Sequence, residues 1–326
     1  MLLTKDLLLA IVAPGLIAAG LVALICVWFE RKIAALVQHR YGPYRICKRL
    51  EGVLQPIADF IKLILSEPII PREVNKFLYV SLPIILDTLA ILPVAFMPIA
   101  PKLIMVDVSY SIFIVLAILL STSLVIALIG WAASDKFTYI GTAREVLQAL
   151  SYEIVLILTV LSMIILYNTG SIYKMVLEQK YIPGAVLNPL AFILFIICAL
   201  MATSRFPFEI PEAETEIVFG PFTEYSGSLF ALAMFGVYLE LYTYALLGTC
   251  MFLSGWWGPF ASYVPCAVAW TYIKTMILCC FMVFLRAAYP RLRIDQVLKL
   301  STKWLVLLGF AACGLSLAIR LLLLHV

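Results

Sequence analysis

The chain has 326 residues, 64% of them hydrophobic and only 13% charged, with a net charge of +4 and a mean hydropathy of +1.07. Soluble domains carry about 25% charged residues, so this chain cannot cover a water-facing surface of its size, whereas a helical bundle bathed in lipid has no need to. The small positive balance is therefore no nucleic-acid signal, and its meaning lies in where the basic residues sit.

Eight apolar stretches have the roughly 20-residue length of a membrane span: 7–29, 77–98, 110–131, 146–167, 186–204, 226–249, 263–286 and 304–324. Backbone groups in lipid must be satisfied within a helix or a closed barrel. The expectation is an all-α polytopic integral membrane protein, one transmembrane domain over residues 1–326 with about eight spans. The first stretch is too long for a removable signal peptide and lacks its small-residue cleavage site. Loops 30–76, 132–145, 205–225 and 287–303, with Arg286 at their edge, hold 17 of the 23 Lys and Arg. These loops are expected on the cytoplasmic or mitochondrial matrix side, with both termini opposite.

In loop 30–76, Glu30, Arg31 and Lys32 close the first span, and QHRYGP follows at 38–43. Leu54, Ile57, Ala58, Ile61 and Leu65 then recur at helical spacing with Asp59, Lys62 and Ser66 on another face. This predicts an amphipathic helix lying on the membrane surface. Arg31, Arg40, Asp59 and Lys62 either line the mouth of a cavity or accompany a simple lipid anchor.

Within span 77–98, Asp87 lies between Pro83 and Pro93, which loosen the helix. Thr142 to Glu145 reads as a capping box opening the fourth span, which puts Glu153 about 16 Å into it. Loop 205–225 carries Glu209, Glu212, Glu214, Glu216 and Glu224, five of the chain's 19 acids. Glu212 and Glu216 share a face if the segment after Pro211 is helical. The loop's Phe206, Phe208, Ile210, Ile217, Val218 and Phe222 predict that a partner covers it. Glu240 and Lys274 fall inside spans. Asp87, Glu145, Glu153, Glu240 and the loop acids are too many for interhelical pairing alone and suit proton translocation. The run RAAYPRLRIDQ at 286–296 suits phospholipid headgroups or the same cavity mouth. Eight scattered Cys without a CxxC, and His39 and His325 as the only histidines, argue against a cluster or imidazole metal site. No GxGxxG or Walker pattern is present, so a nucleotide binds elsewhere.

Glu30-Arg31-Lys32, QHRYGP, LQPIADFIKL with Glu67-Pro68, GW at 130–131, SYE at 151–153, RFPFEIPEAETE at 205–216, GPFTEY at 220–225 and RAAYPRLRIDQ together resemble, in family order, chain 1 of the NADH:ubiquinone oxidoreductase of respiratory complex I. The resemblance spans roughly residues 28–303. It implies a membrane subunit of the proton-translocating NADH:ubiquinone reductase, not catalytic in isolation, that forms the ubiquinone access tunnel and reduction chamber. It further implies no directly bound cofactor, with iron-sulfur clusters and flavin in partner subunits. The implied partners are peripheral-arm quinone-site subunits, neighbouring small membrane subunits, ubiquinone and phospholipid, with no nucleic acid. The implied location is the mitochondrial inner membrane, or a bacterial plasma membrane, with the termini on the intermembrane-space side. By motif, Arg31, Arg40, Asp59, Lys62, Phe222, Arg286 and Arg293 fall to the quinone path. Glu145, Glu153, Glu209, Glu212, Glu214, Glu216 and Glu240 fall to the proton path.

This sequence departs from the family at Met201–Arg205, where the usual A-E-x-N-R has Ala202 for the glutamate and Ser204 for the asparagine, and at Val237-Tyr238, where the family has E-Y. Glu145 and Glu240 are extra acids nearby that are able to replace the missing pair. The segment YRICKRLEG at 44–52 is also more basic than the family's. Two other readings of the buried acids stay open: the membrane subunit of a related energy-converting hydrogenase, without quinone, and a secondary proton or cation transporter.

Overall fold

The computed structural model describes residues 15–44, 46, 51–101 and 103–324. Residues 7–14 of the first expected span, most of the basic segment 44–52, and His325 lie outside the described residues. The described chain is helical: α1 (Leu16–Val37), α2 (Gln55–Leu65), α3 (Lys76–Ile91, prolonged by a 3-10 turn Leu92–Phe96), α4 (Ser111–Ala132), α5 (Lys136–Tyr167), α6 (Ile172–Glu178), α7 (Gly184–Leu187), α8 (Pro189–Ala202), α9 (Glu214–Ile217), α10 (Gly227–Phe252), α11 (Val264–Ala288), α12 (Ile294–Leu300) and α13 (Val306–Leu324). Six of these runs, namely Lys76–Phe96, Ser111–Ala132, Lys136–Tyr167, Gly227–Phe252, Val264–Ala288 and Ile294–Leu322, are long and apolar enough to cross a membrane. The remaining two expected spans correspond to α1, whose last third carries Glu30, Arg31 and Lys32, and to α8, an apolar helix of 14 residues.

Helix α10 occupies the centre. Every residue from Leu239 to Phe252 is buried, as befits a helix that is apolar on all sides, and α1, α2, α3, α8 and α11 pack around it. The surface helix forms as expected over Gln55–Leu65. Ile61, Ile64 and Leu65 face outward, while Pro56, Phe60 and Leu63 line a slot against α1 and α10.

Several boundaries differ from the sequence reading, each for a local reason. Helix α1 continues through the strong helix formers after Glu30 to Val37, so Glu30, Arg31 and Lys32 lie inside a helix. Helix α5 begins at Lys136, not after Thr142. Asp135 accepts the Phe137 amide at 2.9 Å, and the Asp135 amide donates to the Thr138 hydroxyl at 3.2 Å, so the capping box lies seven residues upstream. Thr142 instead donates back to the Thr138 carbonyl, and Glu145 becomes an interior helical residue. Span 186–204 is shortened because Asn188 caps α8 through the Ala191 amide, with Pro189 at its first position. The basic run 286–296 is divided between the end of α11, the link 289–293 and the first turn of α12, which runs through a π turn (Ser301–Leu305) into α13.

Loop 205–225 folds back on the chain's own bundle. Phe208, Ile210, Ile217 and Phe222 are buried by the chain itself, leaving Val218 exposed. The apolar content of the loop therefore gives no reason for a covering partner. After Pro211 the loop is helical only over Glu214–Ile217, so Glu212 and Glu216 do not share a helical face. The turn Gly220–Phe222 seats against α5 at Gly141, where a Cβ would meet the Gly220 Cα at 2.7 Å. Gly220 has φ +55°, and a side chain there would run into the Pro211 carbonyl. The loop's end is fixed to α3 by a stacked pair, Tyr79 and Tyr225, with ring centroids 4.2 Å apart and the Tyr79 hydroxyl donating to the Glu224 carbonyl at 2.7 Å.

Candidate functional site

Three spaces lie around α10 and loop 205–225, two of them sharing Arg31. The largest is a cavity of about 800 Å³ whose wall includes Glu30, Arg31, Arg40, Phe206, Arg286 and Tyr289. The Glu30 carboxylate is its electrostatic node. Arg205 Nη1 donates to Glu30 Oε2 at 2.6 Å, the Tyr238 hydroxyl donates to the same oxygen at 3.1 Å, and Arg286 pairs with Oε1. Arg286 also reaches Glu209 Oε1 at 2.9 Å, and the Arg205 guanidinium lies over the Tyr238 ring at 4.4 Å. Charges this deep persist only when paired, and here two arginines and two carboxylates pair with each other across α1, α11 and the loop.

Beside the cavity, α1, α2 and α10 enclose an apolar slot of about 250 Å³, with Phe60, Phe219, Phe230, Phe235 and Tyr238 in its wall. Arg31 borders both spaces and pairs with Asp59, which Gln55 also holds at 3.2 Å. A charged chamber and an aromatic slot thus share one ion pair.

The third space is a crevice lined by Glu145, Glu212 and Glu240 together with Ala202, Val237 and Phe222. Glu145 is 2% and Glu240 1% exposed. Ser204 Oγ lies 3.4 Å from Glu145 Oε2, and Thr122 donates to Glu240 Oε1 at 2.7 Å. Glu240 Oε2 has no partner among the described residues. The crevice is packed too closely to admit a water molecule in this conformation. Both positions at which the sequence lacks a family glutamate, Ala202 and Val237, therefore open onto the same space as the two extra acids.

Of the residues singled out from sequence, Arg31, Arg40 and Arg286 line the cavity and Asp59 the slot, while Glu209 joins them through Arg286. Glu145, Glu212 and Glu240 meet in the crevice. The remainder lie elsewhere. Phe222 lines the crevice and not the cavity. Lys62 and Arg293 are exposed. Glu153, near the middle of α5, accepts a bond from Ser123 at 3.2 Å; eight residues beyond Glu145, it is turned by about 80° from the crevice. Glu214 is exposed, and Glu216 is paired outside the crevice with Arg144 at 2.6 Å and Arg291 at 3.2 Å. Glu30, Arg205 and Tyr238 are the members that sequence reasoning misses as site residues. Each does carry a signal: a lone acid at the charged end of an apolar helix, an arginine opening the acidic loop, and a tyrosine beside the missing glutamate.

Outside the membrane-spanning helices, the loop acids separate by environment. Burial pushes Glu212 up to about 7, against the pull of Arg205 and with help from Glu214. Burial and the charge of Glu212 push Glu209 up to about 8, while its direct contact with Arg286 favours the ionised form; a 2.9 Å charge-assisted bond decides for ionisation while Arg286 stays in place. The Arg144 hydrogen bond holds Glu216 below its ordinary value. Glu212 is thus the loop acid poised to exchange a proton near neutrality.

The family described as NADH dehydrogenase matches residues 9–317. The chain is 36% identical to an NADH-quinone oxidoreductase subunit of Dehalococcoides mccartyi over 88% of its own length and 80% of that protein. It is 36% identical to the protein of the same name from Thermomicrobium roseum, over 90% of each chain. The corresponding protein of Syntrophotalea carbinolica is 34% identical over 93% of each.

Proposed function

The chain belongs to the NADH dehydrogenase family, and from that premise we propose that it is the complex I membrane subunit that forms the quinone tunnel and reduction chamber and couples quinone reduction to proton translocation. Its relatives, named as subunits of NADH-quinone oxidoreductase, make it one part of an enzyme complex embedded in a membrane. The observation that carries the tunnel reading is the position of Arg31 between the charged cavity and the aromatic slot. A quinone is an amphiphile of matching form, with a polar, reducible ring and a long apolar tail. The slot's phenylalanines accept the tail, and the Arg31, Arg40 and Arg286 cluster accepts the ring's oxygens, on which negative charge develops during reduction. Electrons reach the ring from iron-sulfur clusters and flavin in partner subunits.

Quinol formation takes up two protons with two electrons. Glu209 and Glu212 border the chamber's charge network, and Glu212 lies on the crevice shared with Glu145 and Glu240. In this reading Glu145 and Glu240 replace the family carboxylates absent at Ala202 and Val237. The dry packing of the crevice makes proton passage conditional on side-chain movement or water admission, which is a form of gating. Glu216, held by two arginines, anchors the loop instead. The whole chain acts as one membrane domain, flanked by peripheral-arm and small membrane subunits and by phospholipid. The bacterial origin of its relatives favours a plasma membrane over a mitochondrial one.

In the assembled complex, Arg31→Gln is expected to slow quinone reduction at least about tenfold, the scale of losing one member of a partly desolvated pair, while NADH oxidation by an artificial acceptor is kept. Equal loss of both activities in an assembled complex counts against the tunnel.

A further inference from the structure

A second large pocket lies at the opposite end of the bundle, where the α10–α11 loop meets the segment after α6. It encloses about 740 Å³ between Lys180, Tyr181, Ser254, Trp257, Phe260 and Lys274. Lys274 is held inside the bundle end by three backbone carbonyls, those of Leu253 at 2.8 Å, Gly255 at 3.0 Å and Trp257 at 2.6 Å. The loop is thereby wrapped around an ammonium group. Lys180 is exposed and lies 5.5 Å above the Trp257 ring. Neither lysine has a carboxylate within ion-pair distance among the described residues. Ser254, a residue of the pocket wall, is only 5% exposed, and its buried hydroxyl has no hydrogen-bond partner among the described residues. A buried hydroxyl left unmatched costs free energy, and beside two cations its natural complement is an anionic oxygen.

The lower edge of the pocket is apolar. Ile277 lines it, and Ile273, Ile277, Phe281 and Phe284, spaced four, four and three residues apart, form an exposed stripe running down α11. A recess walled by Lys180, Lys274 and Ser254 and continued by an apolar track has the form of an anionic lipid, with headgroup and acyl chain in sequence. We propose that this pocket is a binding site for the phosphodiester headgroup of an anionic phospholipid, whose acyl chain lies along the Ile273–Phe284 stripe. It is separate from the quinone chamber and from the basic segment 286–296, both at the other end of the bundle. The apolar track favours a lipid over free phosphate, which has no use for it, and over an acidic protein segment, which would leave the stripe bare.

The test places the photoreactive residue p-benzoylphenylalanine at Phe260, which is 77% exposed, in the assembled complex held in nanodiscs of phosphatidylcholine with a minority of phosphatidylglycerol. Adducts are read by mass after illumination. The expected result is phosphatidylglycerol adducts in excess of its share of the bilayer, reduced about fivefold by Lys180→Gln, the contribution of one lysine to an anionic surface, and restored by Lys180→Arg. Added inorganic phosphate should leave the adducts in place. Adducts that follow bilayer composition regardless of residue 180, adducts displaced by phosphate, or adducts to a neighbouring polypeptide would each overturn the proposal.

Discussion

Two acids of the same site have opposite fates, and single contacts decide between them. Glu30 is locked by Arg205, Arg286 and the Tyr238 hydroxyl, so it serves as a fixed charge that orients its neighbours. Glu212 has no such direct partner among the described residues, and burial lifts its carboxyl from an ordinary 4.5 to about 7. An acid whose folded pKa is raised binds more protons folded than unfolded. Its stabilising contribution is present below about 4.5 and is lost as pH rises through 7. Replacing it with an uncharged amide removes that loss, worth at most about 3 kcal/mol for a shift of this size. The melting temperature of complex containing Glu212→Gln, relative to the unaltered complex, should therefore rise between pH 5 and pH 8. A difference that stays flat over that range would show that Glu212 does not titrate there.

At the scale of elements, the acidic loop is seated by glycines and aromatics and not by its charges. The turn at Gly220 exists because φ is +55° and because no side chain intrudes on Pro211 or on Gly141 across the gap. Adding a methyl group at Gly220 combines left-handed strain of about 1–3 kcal/mol with a clash against backbone. Gly220→Ala is expected to lower both the yield of assembled complex and its melting temperature. Gly314→Ala, in a helix with nothing within 4 Å of the added Cβ, should be neutral or stabilising by about 0.5–1 kcal/mol. Similar yields from the two variants, measured by native gel, would mean that the loop is held by something other than this turn.

For the whole molecule, charge asymmetry sets orientation. The basic loops and the cavity lined by Glu30 and Arg286 lie on one side, and the connections 97–110, 168–188 and 253–263 on the other. The positive side is expected to face the cytoplasm or its equivalent. Asp107→Cys, at an exposed position of the second side, should be labelled in intact cells by a membrane-impermeant maleimide, above the background of the native cysteines. Labelling that requires permeabilisation would reverse the topology.

The membrane class, the long apolar helices, the surface helix and the order of the family motifs were legible in the sequence, because lipid solvation imposes a length and an apolar composition that no local contact can mask. Arg31, Arg40 and Arg286 were singled out by the sequence with lipid contact as the alternative, and the structure brings the three to one cavity wall. Three things were decided only by tertiary structure. The capping residue of α5 is Asp135 and not Thr142, since several polar residues in that stretch are able to cap and the Asp135–Thr138 pair closes the box. The apolar side chains of loop 205–225 turned inward onto the chain's own bundle, which no pattern within the loop could reveal. Finally, Glu145 on α5, Ala202 at the end of α8 and Val237 and Glu240 on α10 came to share one crevice. That convergence is a property of three helices packed at one depth, and sequence separation carries no record of it.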